Sequence, residues 1–182
     1  MKSSGIKTST VLASFLLAAC LSMHAEVKLP AIFSDGMVMQ QQTNANLWGT
    51  ATPNKKVTVT TGWNGKQYAV TADKNGSWKL SVSTPEAGGP YTITFDDGTP
   101  KTLNNILIGE LWLCSGQSNM EMPMKGFKNQ PVENANMDIL RSKNPHIRLF
   151  TVKRTSTITP QNDVVGSWKE AAPVSVRDFS AT

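Results

Sequence analysis

The fold is decided by the stretch Val57-Thr58-Val59-Thr60-Thr61-Gly62-Trp63-Asn64-Gly65-Lys66-Gln67-Tyr68-Ala69-Val70-Thr71. Apolar and polar residues alternate on both sides of Asn64-Gly65, a pair that accepts the positive φ angles of a tight hairpin turn. A period of two is typical of strands that have one buried and one exposed face. The stretch therefore predicts half-buried strands joined by a short turn.

The same pattern continues on both sides of this stretch. Further alternating segments and turn pairs recur at short spacing: Trp78-Lys79-Leu80-Ser81-Val82, Tyr91-Thr92-Ile93-Thr94-Phe95, Asp35-Gly36, Asn75-Gly76 and Asp97-Gly98. No helical periodicity interrupts them. We therefore expect residues 26–105 to form an all-β sandwich with antiparallel strands, of the immunoglobulin-like or jelly-roll type.

The pattern changes at Ile106. Residues 106–114 are almost continuously apolar, which is typical of a strand covered on both faces. Loosely helical spacing of apolar residues predicts a helix over 134–143, and a compact apolar segment predicts a second strand over 147–152. Strand, helix and strand in this order predict a right-handed parallel crossover, the start of an α/β domain over residues 106–182. Because two strands are too few for a doubly covered sheet, we expect the sequence to be the N-terminal fragment of a longer protein.

The first residues predict export. Lys2 and Lys7 precede an apolar segment, residues 11–19, that is too short to span a bilayer, which takes about 20 residues. We therefore interpret residues 1–25 as a secretory signal peptide and expect a periplasmic or secreted protein without a transmembrane helix. Two processing routes stay open. Cleavage can follow Ala25, or Cys20, in a segment that resembles a bacterial lipobox, can carry a lipid anchor.

Composition excludes several other classes of protein. The chain has 182 residues, 39% of them hydrophobic, which is enough for a globular core. Its formal charge of +5 is spread over scattered Lys and Arg, so we expect a solvated surface and no nucleic-acid partner. Outside the signal peptide Cys114 is the one cysteine, so no disulfide framework is expected. Its apolar neighbours favour a small buried side chain over a reactive thiol.

A polar turn with a candidate nucleophile, Ser118, follows the first apolar strand. Parallel α/β sheets bind ligands at the carboxyl ends of their strands. A hydroxyl there can attack a carbonyl carbon if a base takes its proton and backbone N–H groups face the oxyanion. Gly116 would permit the close backbone approach of such a turn. On the residues alone a second interpretation stays open, in which Ser118 or Asn119 caps the next helix. The motif is not the Gly-x-Ser-x-Gly elbow, because Met120 occupies the last position.

A resemblance favours the first interpretation. The segment Gly109-Glu110-Leu111-Trp112-Leu113-Cys114-Ser115-Gly116-Gln117-Ser118-Asn119-Met120-Glu121-Met122-Pro123 resembles the nucleophile block of the sialate O-acetylesterase family, in the SGNH hydrolase superfamily. Residues 29–40 are similar to the family's entry into its β-sandwich domain, and residues 179–181 match further downstream. The resemblance implies a flavodoxin-like catalytic domain with a parallel sheet. It also implies a serine esterase, without metal or other cofactor, that removes O-acetyl groups from sialic acid or other acetylated glycans.

The resemblance also implies roles for individual residues. Ser118 matches the family's nucleophile, and its backbone N–H would donate to the oxyanion. Gly116, Gln117 and Asn119 match the part of the motif that shapes the turn. The family's catalytic Asp and His come from later segments, so we assign these roles to no residue here and expect this chain to be inactive alone.

Three other titratable residues lie near the motif or in its domain. His146 is the one histidine outside the signal peptide, and its position in a loop before the second predicted strand favours a surface residue. Glu110 and Glu121 flank Ser118 and would suit a paired-carboxylate glycosidase, but their placement favours solvated positions.

A different function class fits the same sequence. A non-catalytic, secreted glycan-binding β-sandwich would show the same strand pattern. Its aromatic residues Trp48, Trp63 and Trp78 suit a protein core and a sugar-stacking face equally well. The sequence alone does not separate this module from an esterase.

Overall fold

A computed structural model describes residues 26–180, apart from the side chain of Asn119. The predicted signal peptide and Cys20 lie outside the described residues. In the described part the strands are β1 Val38–Gln40, β2 Asn44–Thr50, β3 Lys56–Thr61, β4 Gln67–Thr71, β5 Ser77–Ser83, β6 Gly88–Asp96, β7 Pro100–Gly109, β8 Asn144–Phe150 and β9 Trp168–Ala171. The helices are α1 Ser118–Glu121, α2 Ala135–Arg141 and α3 Pro173–Val176. No helix within residues 26–180 has the length and apolar character needed to cross a membrane.

The alternating segments form strands β3 to β6, as predicted. In β3 Val57 and Val59 are fully buried, whereas Thr58 and Thr60 are partly exposed. The turn between β3 and β4 contains Gly65 at φ 67°, a conformation that glycine adopts at little cost. The half-buried strands and their tight turn are therefore confirmed.

Two sheets form the β-rich domain. A five-stranded sheet has the order β1-β7-β6-β3-β4, and β2 pairs with β5 in a two-stranded antiparallel sheet. Strand β1 pairs with β7 in parallel, with Val38 beside Leu107, so the larger sheet is mixed. The expectation of antiparallel strands throughout was wrong at this edge, whereas the β-rich character is confirmed. The immunoglobulin-like or jelly-roll type stays a prediction.

Both sheets contribute to one apolar core. Trp78 of β5 and Phe95 of β6 lie with ring centroids 5.9 Å apart. Around them pack buried side chains from the strands and from the segments before β1: Val27, Met37, Leu47, Val57, Val59, Val82, Ile93 and Ile106. The free energy that stabilises the β-rich domain comes mainly from burial of this cluster.

We expect Phe95→Ala to lower the free energy of unfolding by about 3 to 5 kcal/mol, because Phe95 is 0% exposed and its loss leaves a cavity. Urea denaturation followed by circular dichroism measures the change. Trp112→Ala is the matched control, since Trp112 is 81% exposed and its removal should change stability by no more than about 0.5 kcal/mol. Equal effects of the two substitutions would contradict this description of the core.

The apolar segment from Ile106 to Cys114 differs from the prediction. Strand β7 ends at Gly109. Its residues Ile106, Leu107 and Ile108 are buried because β7 lies between β6 and β1 in the larger sheet, so the apolar run belongs to the β-rich domain up to this point.

Beyond Gly109 the chain leaves the sheet. Leu111, Trp112 and Leu113 are 46%, 81% and 93% exposed, and Cys114 is an exposed free thiol. The predicted strand up to Cys114 and the predicted burial of Cys114 were both wrong for the described chain, because no described strand pairs with this segment.

The predicted crossover is also different. Helix α2 lies within the predicted range 134–143, but β8 forms an antiparallel pair with β9, from Phe150 beside Trp168 to Asn144 beside Ala171. The expected parallel pairing is therefore absent from residues 26–180, and the start of an SGNH-type α/β sheet is not confirmed. Strand β7 crosses the boundary placed between residues 105 and 106, and the division into domains stays a prediction.

Candidate active site

Ser118 lies exposed at the first position of helix α1. The residue before it, Gln117, is the N-cap and makes no side-chain capping hydrogen bond, while the Met120 N–H donates to the Gln117 carbonyl at 2.9 Å. None of the described groups forms a hydrogen bond with the hydroxyl or the backbone N–H of Ser118. In this turn Ser118 is therefore not the helix cap, and both its groups can reach a ligand.

Gly116 lies close to the Met120 side chain. A Cβ atom at this position would lie 2.9 Å from Cγ and 3.7 Å from Cβ of Met120. The first distance is shorter than real Cβ contacts, so a larger residue would displace the Met120 side chain or the turn. Gly116 and Gln117 lead into helix α1, which begins with Ser118 and Asn119, and the catalytic or turn-shaping roles of these four residues stay predictions.

The segment after Ser118 is held by the end of the described chain. The Met124 N–H donates to the Phe179 carbonyl at 2.9 Å, and the Lys125 N–H donates to the Arg177 carbonyl at 3.0 Å. Lys125 also forms an ion pair with Asp178, and the hydrogen bond from its ammonium lowers the pKa of the Asp178 carboxyl. These contacts were not predicted, although the resemblance at residues 179–181 was a signal that could have indicated them.

Both carboxylates that flank Ser118 have partners. The side-chain amide of Gln41 donates to Glu110 at 2.6 Å and that of Gln40 at 3.4 Å, and these hydrogen bonds lower the pKa of the exposed Glu110 carboxyl. Glu121 forms an ion pair with Arg154. A carboxyl with a lowered pKa is a poor general acid, so Glu110 does not suit the acid role in a glycosidase pair.

His146 lies on the surface, as predicted, but within β8 rather than in a loop. His146 is exposed, and its backbone N–H donates to the side-chain oxygen of Asn144 at 2.9 Å. No described hydrogen bond involves its imidazole. Residues 26–180 contain no group of three His, Cys, Asp or Glu side chains placed to hold a metal ion.

The β8–β9 pair is attached to the β-rich domain by polar contacts. The Arg148 side chain is 2% exposed, forms an ion pair with Glu170 at 3.2 Å and donates to the Asn105 side chain at 3.1 Å. The Trp168 indole N–H donates to the Ile32 carbonyl at 2.8 Å. Because Asn105 lies in β7, these contacts connect the segment after Ser118 to the larger sheet of the β-rich domain.

Comparisons with known proteins bear on this site. The chain is 33% identical over 150 residues to the sialate O-acetylesterase of Mus musculus, an alignment that covers 75% of this chain and 27% of that protein. It is 28% identical over 148 residues to the sialate O-acetylesterase of Homo sapiens, covering 76% of this chain and 28% of that protein. The chain thus spans little more than a quarter of the length of these relatives. No protein-family model matches it.

A solved structure agrees with the sequence comparisons. The crystal structure of a carbohydrate acetylesterase from Xanthomonas citri superposes with a TM-score of 0.77 at 30% sequence identity, over 86% of this chain and 35% of that chain. The similarity in sequence and in structure therefore extends over most of the described residues. The chain belongs to the sialate O-acetylesterase family.

Proposed function

We propose that the protein containing this chain is a serine esterase, a carboxylic ester hydrolase that removes O-acetyl groups from sialic acid or other acetylated glycans, with Ser118 as the nucleophile. The observation that carries the proposal is the exposed Ser118, whose hydroxyl and backbone N–H have no described partner, inside the family motif. The names of the relatives support an acetyl ester of a carbohydrate as the substrate class.

The mechanism follows from the chemistry of a serine hydroxyl. The Ser118 oxygen attacks the carbonyl carbon of the acetyl ester while a general base takes the hydroxyl proton. The resulting oxyanion accepts a hydrogen bond from the Ser118 backbone N–H. The bond to the sugar oxygen then breaks, and that oxygen takes the proton from the base. Water, deprotonated by the same base, finally releases acetate and restores Ser118.

The neighbours of Ser118 have a shaping role in this proposal. Gly116 allows the backbone to pass close to Met120, and Gln117 and Asn119 flank the nucleophile at the start of α1. The base itself is not proposed from this chain, because the resemblance implies that the family's Asp and His come from later segments.

One observation favours a second function, a non-catalytic glycan-binding module. Trp48 is half-buried and lines a cleft of about 560 Å³ in the β-rich domain, distant in sequence from Ser118. Assay of the full-length protein on an aryl acetate separates the two functions. Release of acetate supports the esterase, whereas retention on a glycan column without acetate release supports the module.

Export is part of the proposal. It rests on residues 1–25, which outside the described structure carry the pattern of a signal peptide. The mature protein is then periplasmic or secreted, with a lipid anchor if Cys20 is the processed terminus. Intact-mass analysis of protein from the cell envelope should show loss of the N-terminal segment or a diacylated Cys20. Recovery of the unprocessed chain from the cytosol would contradict export.

A further inference from the structure

The β-rich domain carries a cleft that residues of strands β2 and β5 help to line. In this antiparallel pair Leu47 and Trp78 are buried toward the core. Trp48 lies beside Lys79 on the opposite face, because successive side chains of a strand alternate between faces. We call the cavity that these residues help to line the β2–β5 cleft. Its lining comprises Lys28, Leu29, Pro30, Trp48, Gly49, Thr50, Ser77, Trp78, Lys79, Asn162 and Asp163.

The walls of the β2–β5 cleft are held in place by contacts from outside the two strands. The Trp48 ring packs edge-on against Phe33, with centroids 4.5 Å apart, and its indole N–H donates to the Asn162 carbonyl at 3.3 Å. The Asp163 carboxylate accepts the Ala31 N–H at 2.7 Å. The volume of about 560 Å³ lies in the usual range of ligand sites, about 300 to 1,000 Å³. These contacts fix the positions of Trp48 and Asp163 in the wall of the cleft.

Positive charge is available in the β2–β5 cleft. Lys28 and Lys79 are exposed, and neither forms an ion pair with any carboxylate of residues 26–180. The one acidic residue of the lining, Asp163, already accepts the backbone N–H groups of Ala31 and Val164, both at 2.7 Å. The two ammonium groups can therefore pair with an anionic ligand.

The remaining chemistry of the lining suits a sugar. An indole provides an apolar surface for the C–H face of a pyranose ring. Trp48 lines both this cleft and a second cavity of about 150 Å³, and Pro30, Asn162 and Asp163 line both as well. Ser77 and Thr50 supply hydroxyls on the same face, beside each other in the strand pairing. A few polar groups around an aromatic surface fix the orientation of a ligand.

We propose that the β2–β5 cleft is a second binding site, which takes an oligosaccharide bearing a carboxylate. It is separate from the Ser118 turn, none of whose residues lines the cleft. The site would hold an acidic glycan chain on the β-rich domain while its acetyl groups are removed elsewhere in the protein. Only the choice of a glycan as the ligand rests on the proposed function.

The test is calorimetric titration of the 182-residue chain with 3′-sialyllactose, with lactose as the neutral comparator. We expect sialyllactose to bind more tightly than lactose and to bind more weakly as salt rises. Lys79→Gln should weaken sialyllactose binding about two- to fivefold, the effect of one exposed charge pair. Trp48→Ala should weaken it by at least about tenfold, as loss of an aromatic anchor does.

Two matched variants serve as controls for the binding experiment. Lys56→Gln and Trp63→Ala change an exposed lysine and a half-buried tryptophan outside the cleft, and both should bind like the unchanged chain. Because Trp48 also packs on Phe33, circular dichroism must show that Trp48→Ala is folded. If that variant is unfolded, the binding of Lys79→Gln, which changes an exposed side chain, tests the proposal instead. Absent binding, equal binding of lactose, or equal losses in the matched variants would overturn the proposal.

The outcome is independent of the esterase. Ser118→Ala should bind sialyllactose like the unchanged chain, since Ser118 does not line the cleft. Binding without acetate release by the full-length protein would leave the cleft assigned and the proposed esterase wrong. Acetate release by the full-length protein without binding of sialyllactose by the chain would support the esterase and show that the assignment of the cleft is wrong.

Discussion

Replacing Ser118 by alanine in the full-length protein is expected to lower kcat/KM for an aryl acetate by at least about 10⁴-fold. Removal of a serine nucleophile leaves only binding and oxyanion stabilisation, and losses of this size or larger are typical of serine hydrolases. Steady-state release of acetate from the two proteins measures the effect. A thermal denaturation curve for each protein shows that the change lies in the chemistry, because Ser118 is exposed and contributes little to packing.

Ser115→Ala is the matched control for this experiment. Ser115 is an exposed serine three positions before Ser118, in the same polar segment. We expect its replacement to change kcat/KM by less than about threefold, the range of surface substitutions. Equal losses in the two variants would show that the segment matters as a whole, and retained activity in Ser118→Ala would remove Ser118 from the mechanism.

The second large effect concerns the 182-residue chain by itself. We expect its turnover of an aryl acetate to be at least about 10⁴-fold below that of the full-length protein, because no described side chain bonds to the Ser118 hydroxyl as a base. A positioned general base contributes about 10²- to 10⁴-fold, and each missing oxyanion donor costs about 10²- to 10³-fold. These losses need not add, but all lower the rate.

The assay compares the chain and the full-length protein side by side, on the aryl acetate and on an O-acetylated sialic acid. His146→Ala is the informative variant of the chain, since His146 is the one histidine within residues 26–180 and lies exposed on β8. Turnover by the chain comparable to that of the full-length protein would contradict the prediction. Loss of such turnover in His146→Ala would identify the base as His146.

Much of the local structure could be predicted from the sequence. The alternation in residues 57–71 predicted β3, β4 and the turn at Gly65, and the spacing of apolar residues predicted α2. Both properties depend on neighbouring residues only, since side-chain period and backbone φ are local. Ser118 was predicted in a polar turn directly after a strand, whereas it begins α1 and β7 ends earlier, at Gly109.

Tertiary structure alone decided which segments pair. An apolar run indicates burial but does not say what provides it, so Ile106 to Ile108 suggested the first strand of an α/β domain and instead lies between β6 and β1. The same ambiguity hid the antiparallel pairing of β8 with β9 and the exposure of Cys114. Strand partners and burial depend on contacts between residues far apart in the chain, which hydrophobic periodicity does not encode. The sequence by itself therefore determined most of the local elements and the candidate nucleophile. Only the tertiary structure determined which strands pair and which residues are buried.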